Sequence, residues 1–146
     1  MDKAAEQIHK QLHESQAKYT YFLLAAAASG IAFAVQRTTG RQIHWSMLLL
    51  GLAVLSWAIS FFAGCRNRQY FHSTLIANFN LILVENGEHP DFSPNTQIVA
   101  AVTEAINNAA KHNSTIGNKW ALRQFRLLIL GAVFFIAWHI TEMCIK

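Results

Sequence analysis

Two histidines and one acid are the residues of this chain best suited to chemistry in an apolar setting: His44, His139 and Glu142. His139 and Glu142 stand three residues apart, so a helix sets them on one face. With His44 alongside, imidazole and carboxylate could hold a divalent metal. Two histidines on facing helices could also ligate a haem. Yet Trp45 and Trp138 sit directly beside these histidines. Tryptophan at the end of an apolar run marks an aromatic belt at a membrane surface. We therefore read His44 and His139 as interfacial residues and expect no metal and no cofactor. Glu142 stays a candidate because it is the one acid in or near the three apolar runs described below, where an ionisable group is costly.

Other chemistries find little support. No serine lies in a nucleophile elbow, and no glycine-rich phosphate loop is present. Cys65 and Cys144 form no CxxC or zinc spacing. In the topology argued below they end on opposite sides of a membrane, which disfavours a disulfide. Arg66 and His72, in RNRQYFH, resemble the Arg-x(4–6)-His signature of HEPN ribonucleases. The four-helix soluble domain that signature needs is lacking, so the segment reads as a membrane-flanking arginine pair followed by interfacial aromatics. The chain is not expected to be an enzyme.

Three apolar runs must position these residues. The run 43–65 has 23 residues and no Asp, Glu, Lys or Arg. At about 1.5 Å per residue it covers about 34 Å, enough for a hydrocarbon core of about 30 Å. Within it Ser56, Ser60 and Gly64 recur at four-residue spacing. The run 19–36 carries a matching row, Ala26, Gly30 and Ala34, and the third run is 127–145. Rows of small residues let helices approach closely in lipid, so these six form a helix-packing face or, once oligomerised, a pore face. Ser29, Ser46, Ser56 and Ser60 are the hydroxyls a pore could draw on.

The flanks also read as helical. Residues 2–18 form an amphipathic lead-in, with Ala5, Ile8, Leu12, Ser15 and Tyr19 in a weak stripe. The link 36–42 is polar and turns at Gly40. Segment 66–86 has neither Pro nor Gly and sets Phe71, Leu75, Asn78, Phe79 and Ile82 on one face. Residues 86–91, NGEHPD, are the strongest loop signal. Ser93 and Pro94 then predict a helix start, followed by a heptad seam through Ile98, Val102, Ala105, Ala109, His112 and Ile116, with a kink expected at Gly117. His112 in a packed seam would make that seam sensitive to pH. Asn78 and Asn80 are candidates for bonds across helices.

The composition agrees with a membrane protein. Of 146 residues, 53% are hydrophobic and 14% charged, well below the roughly 25% charged usual in soluble domains. The net charge is +4, but Lys and Arg flank the apolar runs and no nucleic-acid motif appears. With the N-terminus cytosolic, Lys3, Lys10, Lys18, Arg66, Arg68, Lys111, Lys119, Arg123 and Arg126 lie inside, against Arg37, Arg41 and Lys146 outside. That bias predicts N-in and C-out. No cleaved leader and no lipid attachment are expected. The expected fold is all-α: one helical membrane domain over 1–146, with spans near 19–36, 43–65 and 127–145. A long cytosolic helical region, 66–124, joins the last two. The location is the inner (plasma) membrane, multi-pass.

The order of elements in 2–86 is a cytosolic helix, a two-span hairpin with a short outer loop, and a helix returning to the cytosol. This order resembles the SLATT-type membrane modules. That resemblance implies a pore-forming effector of bacterial anti-phage defence, and it carries no residue motif. The third span, 127–145, departs from the module. Three classes of function follow. The first is an oligomeric pore-forming or ion-conducting effector, gated by packing changes among the cytosolic helices. The second is an accessory or anchoring subunit of a larger complex. The third is a haem- or metal-bearing redox subunit. The expected partners are the lipid bilayer and either further copies of the chain or a larger membrane complex, with no nucleic acid.

Overall fold

The computed structural model describes residues 3–40, 44–88 and 96–145, and among these every regular element is an α-helix. Helix α1 is Lys3–Thr38, α2 is Met47–Glu85 and α3 is Thr96–Ile145. Each runs unbroken because both prolines, Pro90 and Pro94, lie outside all three. Each is long and apolar enough to cross a membrane. The expected kink at Gly117 is not a break: α3 passes through it as helix. The expected start at Ser93 and Pro94 lies outside the described residues, as do Arg41, Gln42 and the side chains of Ile8 and Leu12.

The helix ends follow from local chemistry. Gly40 beyond α1 and Gly87 beyond α2 both take positive φ, 78° and 72°. That conformation is open to glycine and stops a helix. At Gly87 the stop is a Schellman motif. Glu88 N–H donates to the Leu83 carbonyl at 2.9 Å and Gly87 N–H to the Val84 carbonyl at 3.1 Å. α2 begins with tight i→i−3 bonds from Met47, Leu48 and Leu49 to the carbonyls of His44, Trp45 and Ser46.

The chain divides into two compact units. The first joins Met1–Gly64 with Ala121–Lys146, and the second is Cys65–Trp120. In the first unit the core sets small residues against two tryptophans. Ala27, Ala34, Leu50, Ala53, Trp57 and Trp138 are buried together, with Ile31, Val54, Leu128 and Phe135 packed against them. Large apolar side chains such as Phe22, Leu55, Phe62, Val133 and Ile136 stay exposed. That inversion suits lipid, which offers apolar side chains no reason to turn inward and leaves close packing of small residues to hold helices together.

In the second unit the faces differ from the sequence reading. Of the expected seam, Val102 and Ile116 are half-buried, but Ala105, Ala109 and His112 are exposed. The inward side of α3 instead runs through Thr103, Ile106, Ala110, Asn113 and Gly117, one residue out of step. Gly117 decides this. A Cβ there would stand 3.4 Å from Asn67 Oδ1 and 3.5 Å from Tyr70 Cβ, so the glycine marks a close approach to α2. His112 lies outside the seam, and the proposed pH sensitivity loses its structural basis. In α2 the face carrying Leu75, Phe79 and Ile82 points outward. Tyr70, Thr74, Ala77 and Val84 face inward.

Candidate functional site

The polar groups of the first unit gather at two levels, with Trp57 between them. At one level α2 offers Ser56, Ser60 and Gly64. All three are buried, Ser60 fully. Ser60 Oγ donates to the backbone carbonyl of Gln124 in α3 at 2.7 Å. The Gln124 side chain lies against Gly64. A Cβ on that glycine would come within 2.5 Å of Gln124 Nε2 and 2.7 Å of Leu24 in α1. Gln124 is only 1% exposed, and neither Nε2 nor Oε1 has a hydrogen-bond partner among the described residues. An unsatisfied buried amide costs about 1–3 kcal/mol.

Trp57 locks the middle. Its indole N–H donates to the Leu128 carbonyl at 3.2 Å, one α3 turn beyond the carbonyl that Ser60 uses. Its ring fills the space left by two glycines on different helices. A Cβ on Gly30 of α1 would stand 2.9 Å from the ring, and one on Gly131 of α3 would stand 2.5 Å from Nε1. Phe135 stacks beside it, with ring centroids 5.8 Å apart, and in turn meets Phe33 at 5.7 Å and Trp138 at 5.5 Å.

At the other level Ser46 Oγ donates to Glu142 Oε1 at 2.9 Å, tying the start of α2 to the end of α3. Ser46 to Gly64 and Gln124 to Glu142 each cover about 27 Å of helix axis, close to the roughly 30 Å of a hydrocarbon core. Beside this bond lies a cavity of about 360 Å³ lined by Phe33, Arg37, Phe135, Trp138, His139, Glu142 and Met143. The Arg37 guanidinium sits 5.2 Å from the centre of the Phe33 ring. The Trp138 indole N–H is buried and unpartnered among the described residues.

The structure thus sorts the residues singled out from sequence. Ser56, Ser60, Gly64, Gly30 and Ala34 turn toward the interior of the first unit, and Ala26 is half-buried. The Ser56, Ser60, Gly64 row is covered within the first unit. Of the four serines named as pore hydroxyls, Ser46, Ser56 and Ser60 are buried and Ser29 alone is exposed. His44 and His139 are both exposed and line different cavities, His44 with Trp45, Met47 and Leu48. Among the described residues no three His, Cys, Asp or Glu side chains gather as a metal set. The sequence reading passed over Gln124 and the central role of Trp57, and gave Gly131 of the third run no role. A signal existed for Trp57: it stands mid-run, where an interfacial tryptophan has no place. Gln124 lay just before the apolar run 127–145 and gave none.

No family model, curated protein or solved structure matches this chain.

Proposed function

We propose that the chain is a multi-pass plasma-membrane protein that serves as an anchoring or accessory subunit and does not conduct ions by itself. The observation that carries this reading is the closure of the serine face. Ser60 is bonded to Gln124, Ser46 to Glu142, and Gly64 is filled by Gln124. A face engaged in this way cannot also line a water-filled path. The exposed row Leu75, Ile76, Phe79 and Ile82 supports association with another protein. The charge bias of the sequence favours a cytosolic position for that row, and an apolar row outside lipid calls for cover. The same bias supports the N-in, C-out orientation.

A second reading rests on one feature of α1. Ala25, Ala28, Ser29 and Ala32 are all exposed and share one helical side. Copies assembled through or around that side would make a narrow path with Ser29 as its hydroxyl. This is the form that a pore-forming defence effector would take.

Ion flux across liposomes holding the purified full chain separates the two. The anchoring reading expects no flux above empty vesicles. Flux that Ser29→Leu abolishes, with the protein still folded, replaces it with the pore reading.

A further inference from the structure

The cavity beside the Ser46–Glu142 bond holds two donors suited to a soft metal. His139 and Met143 stand four residues apart on α3, so the helix sets them on one face a turn apart, and both line that cavity. For a divalent ion or a haem His139 lacks partners, since no three His, Cys, Asp or Glu side chains gather among the described residues. A thioether changes the choice, because such sulfur selects soft metals. We propose that the imidazole of His139 and the thioether of Met143 bind one copper(I) ion. The proposal is independent of whether the chain anchors or conducts.

The donor set selects the metal. Zinc takes thiolate, imidazole and carboxylate, four ligands in a closed site. Copper(I) carries one charge and accepts two ligands, here one nitrogen and one sulfur, both neutral. Arg37 of α1 and Glu142 of α3 line the same cavity. One guanidinium and one carboxylate cancel, so the fixed charge of the cavity draws no divalent ion. A single charge is also the cheapest to hold beside lipid, because desolvation in the Born picture rises with the square of the charge and a divalent ion costs about four times as much. Neither Arg37 nor Glu142 is required as a ligand.

The surroundings suit such an ion. Phe135 and the buried Trp138 wall the cavity, with the Trp138 ring 6.3 Å from the His139 ring. Met143 is 60% exposed, which gives the ion a way in, and its unbranched side chain can turn its sulfur toward His139 without disturbing the core. The chain has a second pair of this kind, His44 and Met47, which line a different cavity. His44 lies ahead of α2, so no helix face fixes its ring toward Met47. That pair is the internal control.

The test uses the full chain in detergent with Cys65→Ser and Cys144→Ser, because both thiols are exposed and would compete for copper(I). The chain is titrated against copper(I) bicinchoninate under ascorbate, and the loss of colour counts the copper withdrawn. One equivalent should be withdrawn, and zinc should not be retained under the same conditions. Met143→Leu and His139→Gln should each weaken binding by about a hundredfold or more, since losing an outer-shell partner alone costs up to about a hundredfold. Met47→Leu should leave it unchanged. A second readout keeps both ligands in place: with methyl-labelled methionine, silver(I), which replaces copper(I) without oxidising, should shift the Met143 methyl resonance and leave that of Met47. The proposal is overturned if no copper is withdrawn, if either Met143→Leu or His139→Gln leaves binding intact, if zinc is held as tightly, or if silver(I) shifts Met47 in place of Met143.

Discussion

Gln124 is a costly side chain in the first unit. It is buried against Gly64 with both polar atoms unpartnered among the described residues, while its backbone carbonyl takes the Ser60 hydroxyl. Gln124→Met keeps the volume and the backbone acceptor and removes the orphaned amide. It should raise stability to unfolding in detergent by about 1 kcal/mol or more. A fall would show that the amide has a partner in the membrane. Ser60→Ala should cost only about 0.6 kcal/mol, the mean for side-chain bonds between membrane helices. Gly131 is held to glycine by Trp57 Nε1, which a Cβ would meet at 2.5 Å. Gly131→Ala should therefore cost about 1–3 kcal/mol through overpacking and displace the Trp57 bond to Leu128. The cost should shrink in a Trp57→Leu background. An unchanged penalty in that background would disprove the clash as its cause.

Among the elements, α2 keeps one pattern of exposure through both its halves. Up to Gly64 it turns small and polar residues inward and leaves Leu and Phe outside, as lipid permits. Beyond Cys65 it still leaves Leu75, Ile76, Phe79 and Ile82 outside, with Tyr70, Thr74 and Ala77 inward. If that second half stands in water, the row is an association surface. Phe79→Glu should then lower the molecular mass of the purified particle, or release a co-purifying protein, without shifting the unfolding midpoint of the membrane unit. An unchanged particle would show that the row contacts lipid or nothing. In α3 the seam read from sequence fell one residue out of step because Ala105 and Ala109 looked like knobs. The close approach of Asn67 and Tyr70 at Gly117 sets the true register.

For the whole molecule the N-in, C-out orientation can be read directly, because the chain carries its own reporters. Cys65 and Cys144 are both free and exposed, the first within α2 and the second in the last turn of α3. A membrane-impermeant maleimide applied to intact cells should modify Cys144, and should reach Cys65 only after permeabilisation. Cys65→Ser and Cys144→Ser assign the two signals. Labelling of Cys65 in intact cells reverses the topology and places the α2 row and its partner on the outer side.

The sequence by itself determined that the chain is helical and that three of its stretches can cross a membrane. Those properties depend on run length, on the absence of proline within the runs and on charge at their ends, all of which are local. It also showed which residues are small enough for helices to meet, because Gly30, Ala34, Ser60 and Gly64 recur at the spacing of one face. It did not show what they meet. The same row serves a pore or a packed bundle, and only the neighbouring helices distinguish them. Tertiary structure set Trp57 between Gly30 and Gly131, filled Gly64 with a glutamine lying sixty residues away in sequence, and joined Ser46 to Glu142. These contacts depend on the rotation of each helix about its axis. In lipid that rotation is decided by shape and by a few hydrogen bonds rather than by a hydrophobic stripe, so no periodicity in the sequence announces it.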